Sequence, residues 1–170
     1  MSNEQRLPES PREKCKDPIG AITTIAEERE WAFDQRNDKE LSAQIPGGYC
    51  DYTLYFSWNE ELQCLHFTCA LDIRVPSEKR TTTNDLLGLI NEKLWLGHFS
   101  LWADEGTPMF RHALLLHGFT VIPNDMIDTL VATAVSECDR FYPAIQHLLW
   151  GGKTPTEALE CAIIDTVGEA

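Results

Sequence analysis

The chain predicts an α+β fold, an antiparallel sheet with helices packed mainly on one face. Three observations point there. Tyr49–Trp58 and Leu62–Val75 alternate apolar and polar residues with a period of two, and only Asn59-Glu-Glu61 separates them. A second short strand pair brackets Asp104-Glu-Gly106. Between and after these runs the apolar spacing changes to the helical period, at Leu86, Ile90 and Leu94 and again from Ile127 to Cys138.

The elements follow in order. Residues 1–17 are polar and carry Pro8, Pro11 and alternating charges, too little apolar surface to offset ordering entropy, so a disordered tail is expected. From Pro18 the chain is expected to form one domain to its end. Ile19, Ile22, Ile25 and Ala26 space a first helix over about 18–30. Trp31–Arg36 and Glu40–Ile45 read as brief strands, and Pro46-Gly-Gly48 as a turn. In the first strong strand Cys50, Tyr52, Leu54, Phe56 and Trp58 share a face. In the second, Leu65, Phe67, Cys69, Leu71, Ile73 and Val75 point inward, while Cys64, His66, Thr68, Asp72 and Arg74 point out. Ser77 is the expected cap of the central helix and Gly97 its left-handed stop. Strands at 98–103 and 107–116 follow. Asn124 is expected to cap a long helix that Pro143, lacking a backbone donor, kinks or restarts. Thr154-Pro-Thr-Glu157 is a capping box ahead of a last helix over 155–164.

Charge narrows the partners. Lys and Arg number 14 against 27 Asp and Glu, a formal net charge of −13. That field repels phosphate backbones and anionic membrane surfaces, so neither nucleic acid nor membrane is an expected partner. No apolar run reaches the length that spans a bilayer, and the N-terminus lacks the apolar stretch of a signal peptide. A cytoplasmic location is expected. The cysteines at 15, 50, 64, 69, 138 and 161 are then read as reduced thiols.

Candidate chemistry is thin. Cys64-x-His66-x-x-Cys69 looks like a metal cluster, but strand alternation sends Cys69 to the face opposite Cys64 and His66. Gly151-Gly-Lys-Thr154 resembles the end of a phosphate loop, yet His147 stands where its first glycine belongs and a helix precedes it. His98, His112 and Asp104 could be imagined as an acid–base set, although no serine or cysteine stands in a nucleophile elbow. No catalytic residue, metal site or cofactor is assigned. Trp102 points away from Phe99 and Leu101 along its strand, so it marks an exposed aromatic site unless a helix covers it. Trp102, His98, Arg111 and His112 form the candidate interaction surface.

One run, Leu86 to Phe99, contains Ile90-Asn-Glu-x-Leu-x-x-Gly-His-Phe99. With Met109-Phe-Arg-His-Ala-Leu-Leu-Leu116, Phe141-Tyr-Pro-Ala144, Trp150-Gly-Gly-Lys-x-Pro-x-Glu-Ala-Leu159 and Pro46-Gly-Gly-Tyr-Cys-Asp-Tyr52, it resembles the YbjN family of bacterial proteins from about residue 18 to the C-terminus. The resemblance implies a fold similar to type III secretion chaperones and a role in sensory-transduction regulation, with no catalytic residues to carry over. The expected function is a non-enzymatic protein-interaction module, a regulator, adaptor or chaperone-like homodimer with a protein partner. The competing reading is a small-molecule sensor or enzyme with a pocket near His98, Arg111 and His112.

Overall fold

The computed structural model describes residues 13–168. Its centre is a six-stranded antiparallel sheet in the order β1-β2-β3-β4-β6-β5. The strands are β1 (Ala32–Asn37), β2 (Glu40–Pro46), β3 (Asp51–Asn59), β4 (Cys64–Ala70), β5 (His98–Leu101) and β6 (Pro108–Leu115). Four consecutive strands meander. The chain then crosses through a 3-10 turn (Ser77–Lys79) and helix α2 (Arg80–Asn91) to the far edge, lays down β5, and returns with β6 between β5 and β4. Helices α1 (Pro18–Glu28), α3 (Asn124–Trp150) and α4 (Pro155–Gly168) complete the order.

The alternation read from the sequence decides which sheet face the helices cover. Tyr52, Leu54, Phe56 and Trp58 of β3 pair with Ile45, Ala43 and Leu41 of β2 and with Cys69, Phe67 and Leu65 of β4, and all of them are buried. Ile19, Ile22 and Ile25 of α1, Leu86 and Ile90 of α2, and Ile127, Ala134, Cys138, Phe141 and Ile145 of α3 pack into the same core. Phe99 of β5 meets Phe110 of β6 and Phe141 of α3 edge-on, with centroids 5.6 and 6.1 Å apart, a favoured aromatic geometry. Deep in this layer the Cys69 and Cys138 sulfurs lie 3.7 Å apart as free thiols.

Several local expectations are corrected. Of the expected tail, residues 1–12 lie outside the described residues, but 13–17 are tied to the domain. Gly118 N donates to the Glu13 carbonyl, Lys16 N to that of Thr120, and Cys15 N to Gln63 Oε1 at 2.9 Å, with Cys15 buried. Gln63 is a buried polar side chain whose use as a backbone partner 48 residues away has no sequence signature. The second strong strand ends at Ala70 rather than Val75, although Leu71 N and Val75 N still bond to the carbonyls of Pro108 and Gly106.

Ser77 opens a 3-10 turn and makes no cap bond; the α-helix starts three residues later. Pro123, not Asn124, occupies the cap position of α3, and no side chain caps it. Pro143 neither breaks nor restarts α3, because Phe141, Tyr142, Ala144 and Ile145 around it are buried and their packing offsets the roughly 3 kcal/mol a helical proline costs. The capping box is present: Thr154 N donates to Glu157 Oε2 at 2.9 Å and Glu157 N to Thr154 Oγ1 at 3.3 Å.

Helix α2 also stops at Asn91, well before Gly97. Asn91 turns its side chain to the outer edge of β5, where Nδ2 donates to the Phe99 carbonyl at 3.0 Å and Phe99 N donates to Oδ1 at 2.6 Å. The amide thus stands in for a seventh strand and blunts an edge that would otherwise expose its backbone. Asn91→Ala removes both bonds at a half-buried site and is expected to cost about 2 kcal/mol, read as a lowered urea midpoint at unchanged m-value. A loss below about 0.5 kcal/mol would show that water replaces the amide without penalty.

Candidate functional site

Among the described residues the second sheet face carries no helix, and the strand register lays its residues out in rows. One row crosses the whole sheet: Asp34, Ser42, Tyr55, Thr68, Arg111 and His98 face each other in successive pairs from β1 to β5. Ser57 and His66 pair in the next row, and Ser100 and Met109 in the row on the other side. Apart from His98, these residues line a trough of about 690 Å³ that reaches Trp102 and Ala103 at the β5–β6 turn. Its floor is well covered, with Thr68 only 8% and Met109 6% exposed although no helix lies over them. Tyr55 and Trp102 keep 41% and 45% of their surface in solvent. Trp102 is therefore the exposed aromatic that the alternation of β5 predicts.

Arg111 and His66 form the polar corner of the trough. Arg111 Nη2 lies 3.1 Å from His66 Nε2. A guanidinium only donates, so Nε2 accepts and His66 is the neutral tautomer with its proton on Nδ1. Burial lowers the His66 pKa, and the charges of Arg111 and His98 lower it further. With its basic nitrogen occupied, His66 is poorly placed to act on a substrate proton. Arg111 Nε is buried without a hydrogen-bond partner.

The four residues of the predicted surface do not share one face. Trp102, His98 and Arg111 lie on the open side, but His112 pairs with Phe67 and points to the helical side. There it lines a separate apolar cavity of about 500 Å³ with Leu96, Phe110, Leu114, Met126 and Leu130. Adjacent positions of a strand point to opposite faces, so Arg111 and His112 cannot serve one site. The sequence reading weighs His66 only as a metal ligand beside Cys64 and does not place it in the interaction surface. Alternation placed it outward, but its neighbour became visible only once β4 paired with β6, across an intervening helix and strand.

Burial also lowers the His112 pKa, with a smaller contribution from His98. Both shifts have the same linkage sign. Below the ordinary histidine value of 6.5 the unfolded chain takes up protons that the folded chain refuses, so stability is full above that value and falls as pH drops through it. Thermal unfolding from about pH 7.5 to about pH 5.5 is expected to show a falling Tm. His66→Gln with His112→Gln should flatten the slope, and an equal slope in that variant would contradict it.

The arrangement defines a class: a helix-backed antiparallel sheet whose free face holds a trough with one basic corner. The chain belongs to the YbjN family, whose model, described as "putative bacterial sensory transduction regulator", matches residues 18–147. The crystal structure of YbjN from E. coli, described as "a putative transcription regulator", shares the fold with a TM-score of 0.51. Sequence identity is 8%, and the superposition covers 71% of this chain and 85% of that one. No curated protein matches the sequence. Among the described residues no helix is long and apolar enough to cross a membrane.

Proposed function

We propose that the chain is a non-enzymatic regulator of the bacterial cytoplasm, a homodimer that works by binding another protein through its open sheet face. The observation that carries this reading is the row from Tyr55 to His98 together with Trp102. Half-exposed aromatics and an arginine stand on a face that the chain's own helices leave free. Tyrosine, tryptophan and arginine are the side chains that dominate protein interfaces. The regulatory description of the family supports the same reading. The net charge of −13 favours an effect on transcription through a protein partner over direct contact with DNA.

Light scattering coupled to size exclusion, with a pull-down from native lysate, tests it. The expected result is a mass twice that of one chain and a captured protein that Trp102→Ala fails to retain while still folding. A strict monomer that holds no protein, or capture indifferent to Trp102, would overturn it.

A further inference from the structure

Among the described residues Arg111 lacks a counter-ion, in a chain rich in carboxylates. Arg29 pairs with Asp128, Arg36 with Glu40 and Arg140 with Glu137, whereas Arg74, Arg80 and Arg111 make no ion pair among the described residues; Arg80 donates instead to the Ala103 and Asp104 carbonyls. The one hydrogen-bond contact of the Arg111 side chain there is the neutral His66 ring. In the trough its Nε is buried without a partner, and the guanidinium carries further donors that His66 does not take. A carboxylate suits that fork, since two parallel N–H···O bonds match its two oxygens.

The register says what stands beside the fork. Tyr55 and Arg111 flank Thr68, one strand away on either side, so their backbones lie about 9.6 Å apart. Between them the floor is the short, buried Thr68 side chain. Tyr55, Thr68 and Arg111 thus line one stretch of the trough, with the two longer side chains on either side of the short Thr68.

We propose that this part of the trough binds a small aromatic carboxylic acid, its carboxylate held by Arg111 and its ring lying over Thr68 against Tyr55. No step of the proposal needs a protein partner, so it stands or falls separately from the docking role of the face.

Benzoate is the probe, titrated into the full-length protein while backbone amide resonances are followed. The expected result is saturable movement of the Tyr55, Thr68 and Arg111 amides, with Arg111→Gln weakening binding at least about tenfold and Arg111→Lys less. Tyr55→Ala, at a half-exposed position, keeps the test open if Arg111→Gln fails to fold, and it too should weaken binding. Acetate lacks the ring and benzamide lacks the charge, so both should bind more weakly. Absence of saturation, equal affinity for either control, or benzoate binding indifferent to both Arg111 and Tyr55 would each overturn the site.

Discussion

Gly97→Ala is expected to destabilise the protein by about 3 kcal/mol or more. Gly97 sits at φ +66°, a left-handed conformation that costs an L side chain roughly 1–2 kcal/mol. Space adds to the penalty. A Cβ there would lie 2.3 Å from Phe110 Cζ and 2.8 Å from the Arg111 carbonyl oxygen. Phe110 is fully buried and packed against Phe99, so its ring cannot swing away without moving β5. Gly118 supplies the control, because it has φ +86° with open space where its Cβ would be. Gly118→Ala should therefore lose only the conformational share, about 1 kcal/mol. Urea unfolding of the two variants separates the terms, and equal losses would show that the Phe110 contact relaxes freely.

Asp139→Ala is expected to cost about 3 kcal/mol, for a reason unrelated to cavity size. Asp139 Oδ1 accepts from the Tyr52 hydroxyl at 2.6 Å and from Gly48 N at 2.8 Å, so one carboxylate ties the middle of α3 to β3 and to the turn before it. Tyr52 is fully buried, and its hydroxyl titrates far above the ordinary range, first through burial and then through the bond to Asp139. Removing the carboxylate strands that hydroxyl without a partner, which costs more than a hydrogen bond normally contributes. Tyr52→Phe in the same background removes the stranded group and should recover about 1 kcal/mol or more. Strict additivity of the two changes would mean that water reaches the hydroxyl. The neighbouring Tyr49 and Tyr142 rings stack with centroids 4.9 Å apart and close the same corner.

These two sites show how sequence and structure divide the information. Gly97 is readable as a required glycine, but the wrong requirement comes to mind. Helical spacing through Leu94 suggests a helix stop, whereas α2 ends at Asn91 and Gly97 serves a close approach to Phe110. Asp139 gives no signal at all, since an acid on a helix reads as a solvated face until Tyr52 arrives from a strand 87 residues away. The trough divides in the same way. Alternation places His66 and Thr68 outward, and the register agrees; it also sets Trp102 opposite Phe99, and Trp102 lines the trough. Alternation cannot tell which outward residues become neighbours, so the sequence reading groups His112 with Arg111 and reaches His66 only as a metal ligand.

What the sequence determined by itself is therefore the local part: the period-two faces of β3 and β4, the apolar stripes of the helices, the Thr154–Glu157 box and the family. Each depends on residues a few positions apart, and chain geometry makes those periods legible. Only the tertiary structure decided that β6 inserts between β4 and β5, which brings Arg111 to His66 and sets Tyr55, Thr68, Arg111 and His98 in one row. Strand order of that kind arises from how separate apolar faces share one core. No short-range period records it.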